Sequence, residues 1–160
     1  MKVAVGSDHR GYKAKELIKT IVTQLGHECI DVGTVDGNPV DYPDPAYLAA
    51  KAVAEKRADR AILACGTGIG MSISANKVKG VRAALCYDEL GARISRHHND
   101  ANVLCVSGEL LGEVLLRKMV EVWLGTDFAG GRHQRRVQKI EAIEENKDPT
   151  SVKNHNHNNG

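Results

Sequence analysis

Five short apolar runs recur along this chain, and a longer, mostly amphipathic segment follows each one. The runs are KVAVGSD (2–8), HECIDVG (27–33), DRAILACG (59–66), GVRAALCYD (80–88) and ANVLCVSG (101–108). Between the first two lies YKAKELIKTIVTQLG (12–26), where Leu17, Ile18, Ile21, Val22 and Leu25 recur at helical spacing and Gly26 supplies a stop. The second connection, 41–58, is a proline-rich loop feeding a helix that starts near Pro45. Further helices are expected over 68–78, 89–99, 110–125 and 130–146. Strands that are apolar almost throughout cannot present one face to water. Alternation with helices therefore predicts an α/β fold: a doubly wound, Rossmann-like sheet of five parallel strands, helices on both faces, and an extended C-terminal helix.

A chain of 160 residues is one ordinary domain, assigned here to residues 1–146. Residues 147–160, KDPTSVKNHNHNNG, have no apolar pattern and read as a flexible Asn/His-rich tail. A net charge of +2 gives no reason to expect a nucleic acid or a membrane as partner. No apolar run approaches the ~20 residues of a membrane span. The N-terminus opens directly on a strand, and the expected location is the cytoplasm. The four cysteines, Cys29, Cys65, Cys86 and Cys105, form no C-x-x-C pair and are expected as thiols, with no metal site.

In doubly wound sheets, ligands sit beyond the C-terminal ends of the strands. Unusual polar residues fall at such ends here: Ser7-Asp8-His9, Cys65-Gly66-Thr67 and Tyr87-Asp88. Gly66, Gly68 and Gly70 would let backbone N–H groups converge on an anion, or they form only a tight turn. The order G-x-G-x-G after the third strand is not a dinucleotide fingerprint, and the Lys-Ser/Thr of a Walker loop is missing. Cys65, just ahead of the glycines, is either a small buried residue or a thiolate serving as nucleophile or base. Asp8 either caps the next helix, with His9 exposed, or pairs with His9 for hydroxyl binding or proton transfer. His97 and His98 end a helix about 100° apart, so at most one serves a given site. Arg132 and Arg136 share a helix face, as a solvated basic surface or a phosphate clamp. A base, an amide cradle and arginines together suit proton abstraction beside the carbonyl of a sugar phosphate.

The segments GSDHRGY, DYPD, CGTGIGMSISANK, GVRAAL, HNDANVL and GGRHQRRVQKI occur in that order. Through them the chain resembles type B ribose-5-phosphate isomerases, a superfamily shared with galactose-6-phosphate isomerase subunits, over about residues 1–145. The resemblance implies a cofactor-free homodimer, or pair of dimers, with the site between subunits. It implies Cys65 as the base between C2 and C1, Gly66 to Gly70 as the enediolate cradle, and His98 with Thr67 in ring opening. Asp8 would bind hydroxyls, and His9, Arg132 and Arg136 phosphate. Asn99 would hold a substrate oxygen, with Tyr42 and Asp41 at the mouth. It further implies that His98, Asn99, Arg132 and Arg136 come from the partner subunit. Glu109 stands where some members carry a phosphate-binding arginine, which would weaken that contact. A six-carbon aldose 6-phosphate is the alternative substrate, and a non-catalytic nucleotide-binding module the alternative role.

Overall fold

The computed structural model describes residues 1–153. Five strands form one parallel sheet: β1 (Lys2–Ser7), β2 (Glu28–Asp31), β3 (Arg60–Cys65), β4 (Ala83–Leu85) and β5 (Val103–Ser107), in the order β2-β1-β3-β5-β4. The helices are α1 (Tyr12–Gln24), α2 (Pro43–Ala54), α3 (Ile69–Ala75), α4 (Glu89–Asn99), α5 (Glu113–Gly125) and α6 (Arg132–Glu144). Every expected element is present, including both faces of helices.

Successive side chains of a strand point to opposite faces, so each central strand feeds two cores. Val3, Val5, Ile62, Ala64, Leu104 and Val106 meet α1, α4 and α5, where Ile18, Ile21, Met119 and Trp123 are fully buried. Ala4, Ala61, Leu63, Cys65, Val103 and Cys105 face α2 and α3. Ala46, Ala49 and Ala50 line the buried side of α2, and side chains this small let the helix lie close to the sheet. The chain leaves β1 for β2 on one side and places β3 on the other. The topological switch therefore falls between β1 and β3, where Asp8 and Cys65 emerge.

Some boundaries differ from expectation for local reasons. α2 begins at Pro43 rather than near Pro45, because a proline at the first helical position sacrifices no hydrogen bond. β4 keeps only three residues, being an edge strand paired on one side. α5 begins at Glu113 rather than 110, because Ser107 Oγ accepts from the N–H groups of Glu109 and Leu110 and holds a turn there. Within the expected tail, Pro149–Ser151 form one 3-10 turn, capped by Asp148 accepting from the Thr150 N–H at 2.8 Å. The expectation for residues 154–160 lies outside the described residues.

Candidate active site

β3 ends at Cys65, and the chain turns through Gly66-Thr67-Gly68 into α3. Gly68 has φ +82°, in the left-handed region, and its N–H donates to Cys65 Sγ at 3.1 Å. A Cβ there would lie 2.7 Å from Leu85 Cδ1 and 2.9 Å from the Val106 backbone. Behind the turn, the β5–α5 loop pins the same backbone. Gly108 N–H donates to the Cys65 carbonyl (2.7 Å) and Ser107 Oγ to the Gly66 carbonyl (2.5 Å). On its outer side, Tyr87 Oη donates to the Thr67 carbonyl at 2.8 Å, a contact the strand-end pattern around Tyr87 only hinted at.

A cleft of about 610 Å³ opens over this turn. Cys65, Gly66, Thr67 and Gly70 form its floor; Asp8, His9 and Arg10 reach it from the end of β1; Asp41 and Tyr42 reach it from the loop before α2. The Tyr42 ring rests on Gly70, where a Cβ would come within 2.6 Å of it. Asp8 is buried and its Oδ1 accepts from the Gly11 N–H at 2.9 Å, so it closes the turn into α1 while lining the cleft. The Val40 N–H donates to His9 Nδ1 at 3.4 Å; in a neutral ring the proton is then on Nε2. Thus Cys65, Thr67, Asp8, His9, Tyr42, Gly66 and Gly70 share one cleft, and Gly68 supplies the amide on the sulfur.

Among the four thiols, Cys65 is the one that lines this cleft. Burial pushes Cys29, Cys86 and Cys105 above the ordinary thiol range, which favours their protonated form.

The remaining expected residues gather elsewhere on the same chain. His98, near the end of α4, stacks on His133 of α6 with ring centroids 4.1 Å apart and planes 7° apart. His97 lies 5.4 Å from His98. Burial first, then the positive charge of His97, Arg132, Arg136 and Arg93, holds His98 below the ordinary imidazole range. His133 is lowered likewise, by burial and then by His98, Arg132, Arg136 and His97, and its Nδ1 lies 3.5 Å from an Arg136 guanidinium nitrogen. Asn99 lines a separate groove with Arg82 and Ile140. None of His98, Asn99, Arg132 and Arg136 lines the Cys65 cleft within one chain.

Two features escaped the reading of the sequence. Glu109 is not a free carboxylate: Arg10 Nε donates to Oε1 at 2.6 Å and its Nη2 to Oε2 at 2.7 Å. The expected weakening of a phosphate contact at Glu109 therefore leaves out a cation that stands against it. The signal was present in SDHRGY, where Arg10 directly follows the two residues singled out. His133 was hidden for another reason: only tertiary packing stacks it on His98.

Residues 3–140 match the profile of the family described as Ribose/Galactose Isomerase. The chain belongs to this family. Ribose-5-phosphate isomerase B of Escherichia coli is 45% identical over 144 residues, covering 90% of this chain and 97% of that protein. Among solved structures, Clostridium thermocellum ribose-5-phosphate isomerase B superposes with a TM-score of 0.89 at 47% identity, covering 91% and 99% of the two chains. Ribose-5-phosphate isomerase B of Mycoplasma genitalium, solved with bound ribulose 5-phosphate, gives 0.85 at 41% identity over 90% and 96%. The family membership and the all-parallel five-stranded fold agree with the resemblance read from the motifs.

Proposed function

We propose that this chain is an aldose–ketose isomerase interconverting ribose 5-phosphate and ribulose 5-phosphate, with Cys65 as the base. The observation that carries the reading is Cys65 Sγ on the floor of the switch-point cleft, facing the Gly68 N–H. The family match and the ribulose 5-phosphate bound by the Mycoplasma genitalium relative support the substrate.

Ring opening moves the anomeric hydroxyl proton away and delivers a proton to the ring oxygen, the task of His98 with Thr67. An imidazole kept neutral by burial and neighbouring cations suits proton exchange near neutral pH. The Cys65 thiolate then takes the C2 proton of the open aldose. Negative charge moves to the carbonyl oxygen, where the amides of the Gly66–Gly70 turn stabilise the cis-enediolate. Return of the proton to C1, with a proton shift between the two oxygens, gives the ketose; no outside oxidant or reductant takes part. Asp8 and Tyr42 hold hydroxyls, Asn99 a substrate oxygen, and His9, Arg132 and Arg136 the phosphate.

His98, Asn99, Arg132 and Arg136 stand outside the Cys65 cleft of their own chain, so we assign them to the site of a second copy. Exposed Ile69 and Ile73 on the cleft rim, and Ile140 and Ile143 on α6, are apolar surface that such a homodimer, alone or paired with another, would cover. The location consistent with this metabolic role is the cytoplasm.

A substrate panel on the purified chain tests the reading. Ribose 5-phosphate is expected to be turned over with a higher kcat/KM than allose or galactose 6-phosphate. The reverse order would assign the six-carbon substrate that the family's description also covers. Cys65→Ala is expected to lower kcat at least the ~10²–10⁴-fold typical of losing a general base, with the circular-dichroism spectrum unchanged. An active alanine variant removes Cys65 from the role.

A further inference from the structure

Arg10 and Glu109 leave different strand ends and meet at the cleft mouth. Arg10 follows Asp8-His9 beyond β1, and Glu109 follows Ser107-Gly108 beyond β5. Their contact is side-on: Nε to Oε1 at 2.6 Å and Nη2 to Oε2 at 2.7 Å. That uses two of the five guanidinium N–H groups and leaves three, two of them on the Nη1–Nη2 edge. Glu109 is itself anchored, its N–H reaching Ser107 Oγ at 3.2 Å and the Gly66 carbonyl at 3.4 Å. The result is a guanidinium fixed above the cradle, 3.2 Å at Nε and 3.3 Å at Cζ from where a Gly66 Cβ would stand.

The pair is too exposed to be explained as a stabilising ion pair: the side chains are 59% and 43% accessible. Among the described residues, Arg10 is also the one lysine or arginine lining the cleft, whose other ionisable lining residues are Asp8, His9, Asp41, Tyr42 and Cys65. Among the described residues of the cleft's own chain, an anionic substrate therefore meets permanent positive charge at Arg10, which directly follows His9.

We propose that Arg10 is a substrate-binding residue that takes a phosphate oxygen on its free Nη1–Nη2 edge, and that Glu109 is the positioning residue that aims it. The assignment rests on the sugar-phosphate reading of the cleft and deepens it. The phosphate end is gripped from the cradle's own chain by Arg10 and His9, opposite the arginines of α6. A planar donor edge suits two phosphate oxygens, and a carboxylate across its other edge keeps the plane from swinging.

Calorimetric titration of inorganic phosphate and of ribose 5-phosphate, with steady-state kinetics alongside, tests this. Arg10→Ala is expected to weaken phosphate binding and raise KM about tenfold or more, the scale of a lost charge-assisted hydrogen bond, with kcat within about threefold. Arg10→Lys should recover part of the loss. Glu109→Gln, which keeps the shape and removes the charge, should raise KM by about threefold while leaving kcat alone. Phosphate binding by Arg10→Ala within twofold of the parent overturns the proposal, even if the variant melts earlier. So does an absence of phosphate binding by the parent protein. A parent that binds phosphate yet turns over no pentose phosphate sinks the isomerase reading instead, and the phosphate titrations still decide Arg10.

Discussion

Gly68 and Gly70 occupy one loop, but they are glycine for different reasons. Gly68 sits at φ +82° with Leu85 and the Val106 backbone where a Cβ would go, and its N–H is the group on Cys65 Sγ. Gly70 has no left-handed backbone; it is small because the Tyr42 ring lies on it. Their alanine variants should therefore fail differently. Gly68→Ala incurs ~1–2 kcal/mol of left-handed strain and a further ~1–3 kcal/mol of overpacking. It also moves the amide off the sulfur. Urea denaturation should show a loss of ~2–4 kcal/mol, and kcat should fall as well. Gly70→Ala has one neighbour to displace, an exposed ring, so it should cost ~1 kcal/mol or less and appear mainly as a higher KM. Equal effects on kcat from both variants would contradict separate roles for the two glycines.

At the scale of elements, the packing of α6 on α4 stacks His133 against His98 and brings Arg132 and Arg136 beside them. The facing charged groups are His97 and Arg93 on α4 and Arg132 and Arg136 on α6. Both rings titrate below the ordinary value of 6.5, so below that pH the unfolded chain binds more protons than the folded one. Stability from this pair is complete above about pH 6.5 and is lost as pH falls below it. Urea midpoints should drop between pH 7.5 and 5.5. In His133→Phe, which keeps a stacked ring but removes one titrating group, the drop should be shallower. A midpoint flat across that range would show that the cluster does not carry the effect. Proton NMR titration of the His98 ring should give an apparent pKa under 6.5.

At the scale of the whole molecule, the proposed chemistry is divided between two surfaces of one chain. If a two-fold axis joins the Cys65 cleft to the partner's His98, two inactive variants complement each other. Co-expression of Cys65→Ala with His98→Asn gives mixed dimers in which one of the two sites has both residues intact. With random pairing, half the dimers are mixed and one site in two is whole in each, so about a quarter of the parent activity should return. No recovery in a purified mixed dimer would mean that each site draws on a single chain.

The alternation of apolar runs with helical segments determined the parallel sheet, because a strand buried on both faces has to be covered on both. The strand-end rule determined where to look, and it found Asp8, His9, Cys65 and Thr67 together. These are local or topological properties, written in periodicity and in residues next to one another. Which cysteine faces the cleft followed from its place at a strand end: Cys65 closes β3, whereas Cys105, on the same face, lies inside β5. The strand order β2-β1-β3-β5-β4 was not legible, because parallel pairing joins residues far apart in sequence and leaves no local mark. Nor was the Arg10–Glu109 clamp, whose halves are 99 residues apart, or the His98–His133 stack across two helices. Each depends on the distance between two elements after packing. That distance alone turns Glu109 from an isolated acid at a phosphate site into the carboxylate that holds an arginine there.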